Sequence, residues 1–164
     1  MGKTIIMLTV LCLGGGMLLQ SPVLALDIVS IPAAALLAND NSISYDTDGV
    51  RMEVPGSPLD RVFQAPVQVP HKAVIRKIML EGKDASVRGY LEVGLRAYKN
   101  DNYRELVRVS TSAIEAPGDF RRSEDLKHQV NNSRFTYGLE VVINNGGIRN
   151  DVWYYKVVIK YAAP

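Results

Sequence analysis

Past residue 25, apolar side chains in this chain recur at every second position, and that period limits what it can fold into. In "DVWYYKVVIKY" (residues 151–161), Trp153, Tyr155, Val157, Ile159 and Tyr161 fall on one face. Val152, Tyr154, Lys156, Val158 and Lys160 fall on the other. In "RFTYGLEVVI", Phe135, Tyr137, Leu139, Val141 and Ile143 oppose Thr136, Gly138, Glu140 and Val142. In "YLEVGLRAY", Leu91, Val93, Leu95 and Ala97 point one way, Glu92 and Arg96 the other. A repeat of two is that of a strand, and one apolar face against one wetter face marks a sheet packed on one side. No stretch past residue 25 shows the 3.6 repeat of an amphipathic helix.

Turn chemistry separates these runs. "KNDN" (99–102) lies between Tyr98 and Tyr103, "NNGG" (144–147) opens the connection to the last run, and "APGD" (116–119) centres on Pro and Gly. Asn and Gly supply the positive φ that tight turns need. Runs near 27–32, 42–46, 49–54, 61–69, 73–80, 89–98, 103–112, 125–130, 134–143 and 151–161 predict nine or ten strands. Strands so spaced, with little helix, predict an all-β fold, an antiparallel β-sandwich with jelly-roll topology; an immunoglobulin-like Greek key is the alternative.

The first 25 residues read as a leader. Lys3 precedes an uncharged run, and "VLA" (23–25) places small residues where a signal peptidase cuts. The run is short for a membrane span and "GGG" (14–16) breaks it, so the reading is a cleaved signal peptide over 1–25 and one sandwich domain over 26–164. The destination is then periplasmic, cell-surface or extracellular, with no membrane span in the mature chain. The single cysteine, Cys12, lies in the leader, so the domain holds together without disulfides. Lys and Arg number 19 against 17 Asp and Glu, interspersed, a near-neutral balance that argues against nucleic acid as a partner and against strong attraction to anionic membranes.

In "VQVPHKAVI" (67–75), Pro70 ends a ladder, His71 and Lys72 form an exposed tip, and Val74 and Ile75 re-enter the core. That segment resembles the "LPxGAxI" hallmark of small secreted bacterial β-sandwich proteins. Three more segments follow the same pattern in order: "IPAAALLANDNSISY" (31–45), "VNNSRFTYGLEV" (130–141), similar to the family's "VDNxxYxYxLxV", and the closing "VVIKYAAP" (157–164). The chain departs at Lys72, where the family has Gly, and at Asn131, where it has Asp. If that Gly serves a positive φ, the turn here must be shaped differently. The resemblance implies an exported sandwich and carries over no catalytic residues.

Chemistry is sparse. The sequence past the leader has two histidines, His71 and His128, no cysteine, and no HExxH, GxSxG or phosphate-binding glycine loop, so the expectation is a protein that is not an enzyme. Asp40, Asp46 and Asp48 in "NDNSISYDTDG" are oxygen ligands suited to Ca2+, although the EF-hand spacing fails and such residues also build ordinary turns. No other cofactor is implied. Tyr90, Tyr98 and Tyr154 lie opposite the core stripe of their strands and are candidates for stacking on a sugar ring. Residues 26–38 are apolar on both alternate faces, with Ile28 and Leu36 on one and Val29, Ile31 and Leu37 on the other. Such a segment is an internal strand, or a strand donated to a second copy in a homo-oligomer or fibre. The functional expectation is an exported structural, self-associating or recognition module. The alternative is a sandwich binding an extracellular glycan or small ligand, and a hydrolase comes third.

Overall fold

The computed structural model describes residues 26–55, 59–111, 117–147 and 151–164; the expected signal peptide lies outside the described residues. Among the described residues, eleven strands form two antiparallel sheets: β1 (Asp27–Pro32), β2 (Leu37–Ala38), β3 (Asp46–Thr47), β4 (Met52–Glu53), β5 (Arg61–Val67), β6 (Val74–Asp84), β7 (Tyr90–Lys99), β8 (Asn102–Ser110), β9 (Gly118–Gln129), β10 (Thr136–Asn144) and β11 (Val152–Ala162). One sheet has the order β3-β4-β11-β6-β9, with β1 also on β11; the other runs β2-β5-β10-β7-β8. The chain changes sheet at nearly every connection after β4, the wrapping of a jelly roll. Among the described residues no helix is long and apolar enough to cross a membrane.

The inward faces of β7 and β10 are those the alternation predicts. Leu91, Val93 and Leu95 lie opposite Ile143, Val141 and Leu139 in register, all fully buried. Phe63 on β5 joins them and meets the Tyr45 ring edge-on at 5.4 Å. Ile75, Ile78 and Leu80 of β6 and Val157 and Ile159 of β11 close the core from the other sheet. Each such aliphatic contributes about 1.5–3 kcal/mol by leaving water.

Three features depart from the sequence reading. First, β11 does not keep one phase. Tyr154 pairs with Gly82 but Lys156 with Glu81, so Tyr155 is an extra residue in a β-bulge. Upstream of the bulge Val152 and Tyr154 point inward; downstream Val157 and Ile159 do. Gly82 makes room for it: a Cβ there would lie 2.4 Å from the Trp153 carbonyl oxygen. Second, residues 26–38 are not one strand buried on both sides. β1 pairs with β11, a 3-10 turn (Ala33–Ala35) follows, and β2 joins β5 in the opposite sheet. Third, β9 runs from residue 118 although its side chains are mostly exposed and charged. As an edge strand it is held by its backbone ladder to β6, and its charges discourage further pairing.

The turn at 70–73 keeps the shape a glycine would give. Lys72 adopts φ 68°, and its N–H donates to the Val130 carbonyl at 2.9 Å. The expectation of a differently shaped turn is therefore corrected: the lysine takes up the left-handed conformation itself.

Candidate functional site

The outward face of the five-stranded sheet collects the polar groups of three strands, β7, β8 and β10. On β7, alternate residues Tyr90, Glu92, Gly94, Arg96 and Tyr98 face out, because their neighbours fill the core. Across the ladder, Arg96 lies beside Gly138 of β10 and Gly94 beside Glu140. From β8, Ser110 pairs with Glu92, Arg108 with Gly94 and Tyr103 with Tyr98.

These side chains form one network. The two terminal nitrogens of Arg96 donate to the two oxygens of Glu140, a bidentate pair. Arg108 donates to Glu92 at 2.8 Å and to both oxygens of Glu105, at 3.1 and 2.5 Å. The Ser110 hydroxyl donates to Glu92 at 3.0 Å. Hydrogen bonding from Arg108 holds the Glu105 carboxyl below its usual range and raises the arginine's own pKa. The groups lie flat because two glycines floor them. A Cβ on Gly94 would sit 3.0 Å from Glu105 Oε2, and one on Gly138 would sit 3.2 Å from the Tyr98 ring.

Aromatic rings bracket the network. Tyr98 and Tyr103 have centroids 5.9 Å apart, and the Arg96 guanidinium stacks 4.1 Å from the Tyr103 centroid. Tyr103 is 56% exposed, which leaves its outer face free. Eight positions along β7, roughly 27 Å away at strand rise, Tyr90 marks the other end. Its hydroxyl donates to Asp60 at 2.5 Å, and that bond together with desolvation pushes its pKa up to about 12. Beside Tyr98, a groove of 530 Å³ runs over Gly138 between Leu37, Gln64, Pro66 and Thr136.

Of the three tyrosines predicted from sequence, Tyr90 and Tyr98 share this face and Tyr154 does not. The bulge turns Tyr154 into the core, where it is fully buried and its hydroxyl donates to the Ile31 carbonyl at 2.6 Å. Burial raises its pKa well above that of a free tyrosine. The bulge instead turns Trp153 outward, but its ring is covered by the Arg51 guanidinium at 3.9 Å, with the Lys83 ammonium at 4.9 Å. Tyr103, Arg108, Glu105 and Glu140 were not singled out from the sequence. The alternation of tyrosine and charge along one face of β7 was the available signal.

The structure does not gather Asp40, Asp46 and Asp48 into a cation site, and among the described residues no three acidic, histidine or cysteine side chains are so placed. Asp40 accepts from the Ser42 N–H at 2.8 Å, and Asp48 accepts from Val50 and Arg51 while pairing with the Arg51 guanidinium. These bonds lower both pKa values. In the N-terminal segment Ile31 and Leu36 are buried, Val29 is half-buried, and Ile28 and Leu37 are exposed. The histidines lie at one end: His71 Nδ1 accepts from the Asn132 N–H at 3.1 Å, and His128 Nε2 lies 3.1 Å from the Tyr137 hydroxyl.

No protein-family model matches the chain, and no curated protein matches it. Among solved structures it is similar to the xylan-binding module CBM15, with 14% identity and a TM-score of 0.47 over 83% of this chain and 97% of that one. It is also similar to Arthrobacter globiformis T6 isomalto-dextranase complexed with panose, at 17% identity and a TM-score of 0.44 over 80% of this chain. A third likeness is to Podospora anserina GH26-CBM35 β-(1,4)-mannanase, at 14% identity and a TM-score of 0.42 over 84% of this chain. The matches span 23% and 28% of those two enzyme chains.

Proposed function

We propose that this protein is a non-catalytic recognition module that binds an uncharged glycan along the outer face of its five-stranded sheet. The observation that carries this reading is the glycine-floored platform itself. The exposed Tyr103 beside the half-buried Tyr98 stands at one end and the half-buried Tyr90 at the other, with a paired Arg–Glu network between them. Tyrosine faces stack on the apolar faces of sugar rings, while fixed guanidinium and carboxylate groups donate to and accept from hydroxyls. The two arginines are already neutralised by three glutamates, which favours a ligand without charge. The platform is long and shallow, which suits an extended chain better than a compact small molecule. Cleavage is disfavoured by the same network: a glycosidic acid needs a raised pKa, and here Glu105 is lowered. The raised carboxyl, Asp84, is instead buried and bonded to Thr111 and the Ser86 N–H.

Affinity electrophoresis of the purified protein through gels containing soluble xylan, mannan or dextran tests the reading. At least one polysaccharide should retard the parent, and Tyr98→Ala should weaken that retardation about tenfold, as loss of an aromatic anchor does. No retardation in any gel, retardation unaffected by Tyr98→Ala, or release of new reducing ends would each overturn it.

A further inference from the structure

One end of the sandwich is crowned by cations on separate chain segments. The turns at 68–73, 100–101 and 130–135 meet there. The Lys72 backbone N–H donates to the Val130 carbonyl at 2.9 Å, the Val130 N–H to the Ala73 carbonyl at 2.8 Å, and the Asn132 side chain to the Val69 carbonyl at 2.9 Å. Tyr98 opposite Thr136 brings the β7–β8 turn to the same level. Lys72, Lys99 and Arg134 sit on or beside these turns, with Arg104 and Lys127 close behind on β8 and β9. All five are exposed. None joins an ion pair among the described residues, and neither do Arg76, Lys83, Arg88, Arg122 and Lys160 elsewhere; what sets the five apart from the near-neutral balance of the whole chain is their convergence on one end. The nearby acids, Asp101 and Asp27, are outnumbered. A second observation is independent of charge counting: the tip residue Lys72 holds a cation at φ 68°, a conformation that disfavours any side chain.

We propose that this end docks onto an anionic membrane surface, its cations meeting lipid phosphate headgroups. The arrangement favours a plane of many anions over a single bound chain. The cations occupy the tips of the turns, while the groove beside them, lined by Pro66, Val69, Pro70, Asn132 and Phe135, holds none of them. Each Lys or Arg near such a surface strengthens partition by roughly fivefold, an effect that salt removes.

The test is sedimentation of the protein with vesicles of phosphatidylcholine alone and of phosphatidylcholine with one-third phosphatidylglycerol, at low and high salt. The expected result is binding to the anionic vesicles alone, lost at high salt. The combined change Lys72→Gln, Lys99→Gln and Arg134→Gln should weaken it on the order of a hundredfold. The charge-preserving set Lys72→Arg, Lys99→Arg and Arg134→Lys should bind as the parent does, which separates charge from folding. Equal partition into neutral vesicles, or parental binding by the glutamine variant, would overturn the proposal. So would binding to soluble dextran sulfate without binding to anionic vesicles, which would make this end a reader of polymers.

Discussion

Replacing Lys72 by glycine should stabilise the protein, and the size of the gain follows from one dihedral angle. A non-glycine residue in the left-handed region costs about 1–2 kcal/mol, because its Cβ crowds the following carbonyl. Lys72 sits there at φ 68°. Glycine removes that crowding but gives the unfolded chain more freedom, at about 0.5–1 kcal/mol. The difference is a net gain of roughly 0.5–1 kcal/mol. The turn's hydrogen bonds, Lys72 N–H to Val130 and Ala73 N–H to Pro70, use backbone that glycine also supplies. For a domain of this size the gain corresponds to a Tm rise of about 1–4 °C. The control is Lys72→Ala, which deletes the same charge and keeps the Cβ. Differential scanning calorimetry of the two variants and the parent reads the result. If glycine is no more stable than alanine, the strain argument fails, and with it the idea that the cation is held at this tip against a backbone preference.

Two further outcomes separate the roles of individual residues. Alanine at Gly82 would put a methyl group 2.4 Å from the Trp153 carbonyl oxygen and should cost about 1–3 kcal/mol in urea denaturation, whereas alanine at Gly94 meets a side-chain oxygen of Glu105 rather than backbone and should change stability by less than about 1 kcal/mol. His128 is held below its ordinary pKa by burial first and by Arg104 second, so the unfolded chain takes up a proton that the folded chain resists. Stability associated with His128 is therefore present above about pH 6.5 and falls as pH drops through the folded value; in His128→Gln the dependence on pH across that window should flatten, measured by urea midpoints from pH 7.5 downward.

Where alternation was uninterrupted, the fold was legible. The inward faces of β7 and β10 follow directly from residues 91–97 and 135–143, because a strand packed on one side has no other way to place those side chains. Legibility failed where geometry came from a partner strand. The bulge in β11 depends on Gly82, some seventy positions upstream, so period two inside 151–161 assigned Tyr154 to the wrong face. Strand β9 has almost no apolar face to read, since its stability lies in main-chain bonds to β6. Two of the platform's three tyrosines were visible because Tyr90 and Tyr98 share β7's outward face. Its charged centre was not, because Glu140 and Arg108 become neighbours of Arg96 and Glu92 only once the strand order is known.

The two proposed surfaces are fixed relative to one another by a single strand. β7 carries two of the platform's three tyrosines, and it ends at Lys99, at the cationic turns. A sandwich standing on that end would hold β7 upright, with Tyr98 near the surface and Tyr90 roughly 27 Å above it at strand rise. The platform would then face sideways, uncovered by the docked end, and a glycan rooted in the same surface would run along the sheet in the direction of its long axis. Weak attachment at the turns would raise the local concentration of such a chain at the platform, so that modest affinities at both surfaces combine through their geometry. The platform needs no deep pocket in that arrangement: a shallow, flat array of rings and paired charges suffices when the ligand is already held beside it.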